Sequence, residues 1–121
     1  MSQERPTILE FVEKYTEKYQ DKTFLREKVD GVWTETSYVK TRDESKILAA
    51  GFMALGLQKG EKAALLSEGR NLWIVSELAM FYAGAVNVPL PSKIKSPPYH
   101  NNMAMTVVPK NSLIGCANRY L

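Results

Sequence analysis

A strand–helix–strand pattern between residues 62 and 90 limits the fold more than any other feature of the chain. Residues 62–66 and 85–90 are short apolar runs of the kind that form buried strands. Residues 72–83 are apolar on nearly all sides, which predicts a mostly buried helix. Strand, helix and strand within about thirty residues predict a βαβ unit with two parallel strands and a right-handed crossover.

A helix and a hairpin are predicted before this unit. Thr7 and Glu10 fit a capping box, and an apolar face at helical spacing follows, so residues 8–19 predict a helix. Asp30-Gly31 is a turn signal between the strand candidates 23–28 and 32–36, because a type I′ turn needs positive φ at both central residues. The apolar face of the helix comprises Ile8, Phe11, Val12, Tyr15 and Tyr19, and the charged face comprises Glu13, Lys14, Glu17 and Lys18.

A second helix is predicted over residues 38–55, with Ser37 as N-cap and Gly56 at the left-handed position that ends it. Its predicted inner face comprises Ile47, Leu48, Gly51, Phe52 and Leu55. The expected fold is therefore α/β, in the order helix, hairpin, helix, strand, helix, strand. The expected core comprises Phe11, Phe24, Leu48, Phe52, Leu55, Leu65, Trp73, Leu78, Phe81, Val86 and Val88.

The composition fits one soluble globular domain. The chain has 121 residues, of which 45% are hydrophobic, enough for a modest core. Its apolar runs are too short for a membrane helix and its start lacks an apolar signal region, so we expect no transmembrane segment and a cytoplasmic location. A single cysteine, Cys116, and a single histidine, His100, exclude an internal disulfide and a multi-histidine metal centre.

The last quarter of the chain differs from the rest. Residues 1–90 hold 12 basic and 13 acidic residues, whereas residues 91–121 hold four basic residues and no acidic one. Because these four cations are dispersed, we expect no binding of nucleic acid. Residues 91–121 also hold four of the six prolines and no lasting periodicity, so we expect no stable element there.

Several spaced motifs resemble one enzyme family, over roughly residues 7–90. Leu55-Gly56 ends a helix, Gly60 ends a turn, and a strand leads to the loop Ser67-Glu68-Gly69-Arg70. A helix beginning near Trp73 follows, and then the run Gly84-Ala85-Val86-Asn87-Val88-Pro89-Leu90. In this order the elements resemble the N-terminal region of the adenylate-forming (AMP-dependent) synthetases, most closely the long-chain fatty acid–CoA ligases.

The resemblance implies the reaction of a longer protein. Residues 1–90 would form a partial N-terminal domain of the ligase fold. The full-length parent would use ATP and Mg²⁺ to convert a fatty acid to an acyl-adenylate, and would then transfer the acyl group to CoA. The sequence, however, lacks the family's Gly/Ser/Thr-rich phosphate loop ending in Lys, its Tyr-Gly-x-Thr-Glu segment, its ribose-binding Asp motif and its C-terminal Lys. We therefore assign no catalytic, cofactor-binding or metal-ligating residue, and we expect the fragment to be inactive and to bind no cofactor.

The change of composition after Leu90 leads to a hypothesis about residues 91–121. An abrupt acid-free, pattern-free sequence is what a shifted reading frame would give, so the chain would be an early-terminated ligase product. The alternatives are a deliberate truncation and a genuine short protein, which would be an independent α/β interaction module with a basic tail. A chain of so few strands would expose sheet edges and an apolar face, so we expect self-association.

A few residues have both a functional and a structural interpretation. Arg70 and Asn71 would either lie near a nucleotide or acyl pocket, or Asn71 would cap the third helix. The aromatic residues of that helix are expected in the core rather than on a stacking surface; they are Trp73, Phe81 and Tyr82. Asn87 is expected to bond within the sheet or to a neighbouring loop, and Pro89 to mark where strand pairing stops.

Overall fold

The computed structural model describes residues 5–67, 70–90, 104–108 and 114–117. They form a mixed α/β fold of three helices and two sheets. The helices are α1 (Ile8–Tyr19), α2 (Tyr38–Ala54) and α3 (Asn71–Tyr82). The strands are β1 (Thr23–Val29), β2 (Val32–Ser37), β3 (Lys62–Leu66), β4 (Val86–Leu90), β5 (Ala104–Val108) and β6 (Ile114–Ala117).

The predicted hairpin and βαβ unit are both present. β1 and β2 pair antiparallel around Asp30 and Gly31, whose φ values of 50° and 82° are the positive pair that the turn requires. β3 and β4 pair in parallel, with α3 as the connection between them. The second sheet has the strand order β4-β3-β5-β6, so β4 lies at one edge.

Two strands lie in the segment for which the sequence predicted no stable element. β5 pairs antiparallel with β3, and β6 pairs antiparallel with β5. The expectation is therefore wrong for residues 104–108 and 114–117; His100 and the other residues of 91–121 lie outside the described residues. β5 forms because the edge of β3 supplies its hydrogen-bond partners, a long-range pairing that local periodicity does not reveal.

Local signals set the ends of the helices. Thr7 and Glu10 form the predicted capping box, and Ser37 Oγ accepts from the Lys40 N–H at 3.2 Å. Gly56 and Gly84 follow the last turns of α2 and α3 with φ of 105° and 76°. At each, the next residue donates its N–H to a carbonyl five residues back, the bond that completes this type of helix end.

Gly84→Ala is expected to lower the free energy of unfolding by about 1–2 kcal/mol, because an alanine at this positive φ is strained. Its Cβ would also lie 3.0 Å from Lys59 Cγ. Gly51→Ala is the matched control, because it lies on the exposed side of α2 with nothing within 4 Å of the added Cβ. It is expected to raise stability by about 0.5–1 kcal/mol. Urea unfolding measures the change in the free energy of unfolding in each variant. Equal changes in the two variants would contradict the strain assigned to residue 84.

The core lies between α2, α3 and β3, with contributions from the turns that follow α2 and α3. Of the residues expected there, Phe52, Leu65 and Leu78 are buried, and Leu48, Trp73 and Phe81 are partly buried. The expectation is wrong for five residues, which are exposed: Phe11, Phe24, Leu55, Val86 and Val88. The buried cluster comprises Ala49, Phe52, Leu57, Ala63, Leu65, Ala79, Met80, Ala83 and Ala85.

α2 packs only partly through the predicted face: Phe52 is buried and Leu48 packs against the core, as expected, but the other buried residues lie outside that face. Its buried residues are Thr41, Ser45, Ala49 and Phe52, whereas Ile47, Gly51 and Leu55 are exposed. The two hydroxyls are satisfied inside the helix: Thr41 donates to the Ser37 carbonyl at 2.8 Å and Ser45 to the Thr41 carbonyl at 2.7 Å. Internal hydrogen bonding of this kind lets small polar side chains enter a core that the apolar pattern alone would not assign to them.

One face of the second sheet is apolar and exposed at β4. Ala63 and Leu65 of β3 are fully buried against α3, so the alternate residues point to the other side. On that side, Val86, Val88 and Leu90 are 50%, 37% and 39% exposed. We call the set Ala64, Leu66, Val86, Val88 and Leu90 the open sheet face; the exposed Lys62, which pairs with Val86, lies at its margin.

Pro89 does not end the pairing of β4, which continues in register to Leu90. Val86 donates its N–H to the Glu61 carbonyl at 2.7 Å, so the backbone groups of residues 86, 88 and 90 point toward β3. The nitrogen of Pro89 therefore points away from β3, where β4 has no neighbour among the described strands. Proline is tolerated at this edge position and removes one outward donor.

No helix within the described residues combines the length and apolarity needed to cross a bilayer.

Candidate functional site

The N-terminus of α3 follows the loop that the resemblance singled out. Its N-cap residue is Arg70, whose side chain makes no capping hydrogen bond. The cap comes instead from β1: Glu27 Oε2 accepts from the Asn71 N–H at 3.3 Å and from Arg70 Nε at 3.2 Å. The prediction that Asn71 caps the helix is therefore wrong, because a carboxylate 44 residues away supplies the acceptor.

This arrangement gives Arg70 and Asn71 structural partners. The Arg70 guanidinium and the Asn71 N–H both hold the first turn of α3 against the hairpin through Glu27. A free helix N-terminus attracts phosphate, but the Glu27 carboxylate lies on this one and would repel it. The residues at this helix end therefore do not fit an ATP phosphate.

A polar cluster joins the three helices at Glu13. Its carboxylate accepts from the Tyr82 hydroxyl at 2.7 Å, pairs with Lys46 Nζ at 2.6 Å and lies 3.8 Å from Arg42 Nη1. The sequence placed Glu13 on the solvated face of α1, and its contacts show instead that this side of the helix packs inward. Lys46 Nζ also lies 5.3 Å from the centre of the Tyr82 ring.

The cluster is built for stability rather than for proton transfer. Burial opposes the charge on Glu13, but hydrogen bonds from Lys46 and Tyr82 and the nearby cations hold its pKa below the usual value. Burial and the hydrogen bond to Glu13 raise the pKa of the Tyr82 phenol. Tyr82 therefore stays protonated and Glu13 charged at neutral pH, which leaves neither as a base of intermediate pKa.

Glu13→Gln is expected to lower the free energy of unfolding by about 1 kcal/mol at pH 7, because it weakens charged hydrogen bonds at a partly exposed carboxylate. Since the folded pKa lies below 4.5, this stability is present above that pH and is lost as the pH falls through the folded pKa. The difference in the free energy of unfolding between wild type and variant should therefore become smaller toward pH 3, as measured by urea unfolding. Glu17→Gln, on the exposed side of α1, is the control. A difference in the free energy of unfolding that stays constant with pH would contradict the stabilising role of the charged Glu13 carboxylate.

The remaining candidates are mostly structural. Trp73 and Tyr82 pack against the core, which confirms that they form no free stacking surface. Asn87 donates through Nδ2 to Glu77 Oε1 of α3 at 2.9 Å, so its partner is a helix and not the predicted sheet or loop group. Cys116 lies in β6. Across the described ranges, no three His, Cys, Asp or Glu side chains come together as a metal site.

An apolar groove, which the sequence did not predict, runs between α1, β1 and α2. It has a volume of about 220 Å³. The residues that line it are Ile8, Phe11, Val12, Tyr15, Thr16, Phe24, Tyr38 and Thr41, which we call the aromatic groove. Most of the predicted inner face of α1 is therefore the wall of an open groove, with Ile8, Phe11 and Tyr15 all exposed. An apolar stripe on a helix predicts such a wall and a buried core equally well.

A series of rings continues the groove at one end. Phe11 and Tyr15 stack at 6.0 Å between ring centres, and Tyr15 and Tyr19 at 5.9 Å. Tyr19 lies 5.3 Å from Tyr38, which lies 4.5 Å from Phe24. Inside the groove, Thr16 is 1% exposed and its Oγ1 has no hydrogen-bond partner in the described part of the chain.

Comparison with known proteins gives a consistent result. The family model described as AMP-binding enzyme matches residues 12–100. The long-chain-fatty-acid–CoA ligase FadD15 of Mycobacterium bovis is 32% identical over 62 residues, which is 51% of this chain and 10% of that protein. This chain thus covers about a tenth of the length of that relative. These matches confirm the resemblance to the adenylate-forming synthetases.

Two solved structures share the fold. The fatty acid AMP ligase from Legionella pneumophila matches with a TM-score of 0.67 and 20% identity, over 73% of this chain and 15% of that one. The N-terminal subdomain of NpsA from Klebsiella oxytoca matches with a TM-score of 0.63 and 24% identity, over 74% of this chain and 22% of that one. The α/β fold predicted from the sequence is thereby confirmed.

Proposed function

Because the chain belongs to the AMP-binding enzyme family, we propose that it is the N-terminal piece of a long-chain fatty acid–CoA ligase. The observation that supports this most is the family match over residues 12–100, together with a relative of that activity of which this chain covers only about a tenth. The full-length parent would convert a fatty acid and ATP to an acyl-adenylate, and would then form the CoA thioester. We place it in the cytoplasm, where ATP and CoA are available.

The piece itself is proposed to be inactive. Its sequence lacks the phosphate loop and the other catalytic motifs of the family, and no catalytic, cofactor-binding or metal-ligating residue is assigned to it. ATP, Mg²⁺ and CoA would bind to parts of the parent that this chain does not contain. In this chain Arg70, the last residue of the resembling loop, and Asn71 hold α3 against the hairpin through Glu27.

An assay of AMP release tests the proposal. The purified chain is incubated with ATP, Mg²⁺, CoA and palmitate, and AMP and acyl-CoA are measured by chromatography. Both are expected to stay at the level of a blank without protein, while FadD15 in the same assay supplies the positive control. Palmitate-dependent AMP release above the blank would overturn the proposed inactivity.

A second candidate is a small independent α/β interaction module with a basic tail. The observation in its favour is that β5 and β6 extend the sheet, which gives four strands from this chain alone. A monomer with a sharp, reversible thermal transition supports the module. Concentration-dependent association supports the first proposal, that the chain is a piece of a ligase. The open sheet face would then be a surface that the longer protein covers.

A further inference from the structure

We propose that Pro89 closes the free edge of β4 to strand addition, so that association between copies of this chain stays closed and does not grow into a fibre. Among the described strands, β4 forms one edge of the four-stranded sheet and β6 forms the other. A strand added at one edge leaves a new edge exposed, so pairing of β4 with β6 of the next copy would continue from copy to copy. A block at β4 is enough to stop such growth.

The backbone of β4 offers few groups to a further strand. Val86 donates its N–H to the Glu61 carbonyl at 2.7 Å, and the parallel pairing with β3 continues in register to Leu90. Because the backbone groups of successive residues point to opposite sides of a strand, those of residues 87 and 89 point to the free edge. Proline has no N–H, so Asn87 supplies the one outward donor of this five-residue strand.

Pro89 blocks the edge without disturbing the pairing of its own strand. Its nitrogen is not needed by β3, and its ring occupies the place from which an N–H would reach the carbonyl of an added strand. A residue that precedes proline is restricted to extended conformations, so Val88 is held in the strand conformation that the pairing with β3 requires. An exposed proline on an edge strand is one of the devices by which proteins prevent edge-to-edge aggregation.

The open sheet face remains as the surface through which two copies meet. Its residues Val86 and Val88 are 50% and 37% exposed, and contact between two such faces covers the same apolar surface in both copies. An interface of this kind is complete with two copies, because each open face is then covered by the other. The copies therefore associate through the side chains of β4 and not through its backbone.

The variant Pro89→Val restores the outward donor, and its assembly is measured by sedimentation velocity and thioflavin T fluorescence. It is expected to associate at least about fivefold more tightly than wild type, the effect of one further backbone hydrogen bond. It is also expected to form species larger than a dimer that bind thioflavin T. Thr34→Val is the matched control, because it adds an exposed valine to β2 and changes no donor of β4. A Pro89→Val variant that assembles no further than wild type, or a control that also forms large species, would overturn the proposal.

Amide hydrogen exchange in the unmodified chain tests the same assignment without a substitution. Over the whole range of protein concentration, the Asn87 amide is expected to exchange at least about tenfold faster than the Val88 amide, which is paired with β3. Protection of Asn87 that grows with concentration would show pairing along the edge and would overturn the proposal. In Pro89→Val, the Asn87 amide is expected to become protected as large species form, while continued protection of Val88 shows that β4 still pairs with β3.

Discussion

The protein is expected to associate through the edge strand β4, and replacing Val86 and Val88 together by lysine is expected to make it a monomer. Both residues lie on the open sheet face, on the edge strand β4, and are 50% and 37% exposed. A flat apolar face beside an unpaired edge is a site for pairing between copies. Burying the two valines on dimerisation contributes roughly 2 kcal/mol to the free energy of association. Their replacement should therefore raise the dissociation constant of the dimer roughly thirtyfold or more.

Sedimentation velocity over a range of concentrations measures this effect. The matched control carries lysine at Val32 and Ile47, which are 68% and 73% exposed but lie on the hairpin and on α2. It adds the same charge and should associate as the wild type does. Wild-type protein that stays monomeric at all concentrations, or a control that also dissociates, would contradict the assignment to β4.

Leu65→Ala is expected to lower the free energy of unfolding by about 3–4 kcal/mol. Leu65 of β3 is fully buried, in the cluster with Ala79 and Met80 of α3. Its truncation loses the transfer free energy of three carbons and leaves a cavity under the helix. Because the whole stability of a small domain is only about 5–15 kcal/mol, this variant loses a large part of it.

Leu66→Ala is the control for this change, one residue along the same strand. Leu66 points to the open sheet face and is only partly buried, so its truncation is expected to cost less than about 1.5 kcal/mol. Urea unfolding at a concentration where the protein is monomeric compares the two. Similar losses would mean that both faces of the sheet are covered, in disagreement with the exposed valines of β4.

The sequence predicted the elements from α1 to β4 well because their limits depend on neighbouring residues, whereas β5 and β6, which depend on pairing with β3, were not predicted. The capping box at Thr7, the turn at Asp30-Gly31 and the left-handed Gly56 each act within a few positions, and all three lie where they were expected. The βαβ unit follows in the same way from two apolar runs and one apolar helix. These signals require no knowledge of the rest of the molecule.

The side-chain environment could not be predicted in the same way. Periodicity identified the apolar stripe of α1 but not that its neighbours leave it open, so Phe11 was expected in a core. Glu27 caps a helix 44 residues away, and Glu13 accepts from Tyr82 across 69 residues. Such contacts depend on how elements meet in space, and a single sequence gives no direct sign of them.

The source DNA beyond codon 90 gives the most direct test of whether this chain is a piece of a ligase. Translation in all frames for several hundred bases is expected to show ligase-like sequence resuming in another frame, with the Gly/Ser/Thr-rich loop that ends in lysine. The residues beyond the family match, which ends at residue 100, would then be an out-of-frame tail. If no frame continues the family, the proposal that this chain is a piece of a ligase is contradicted.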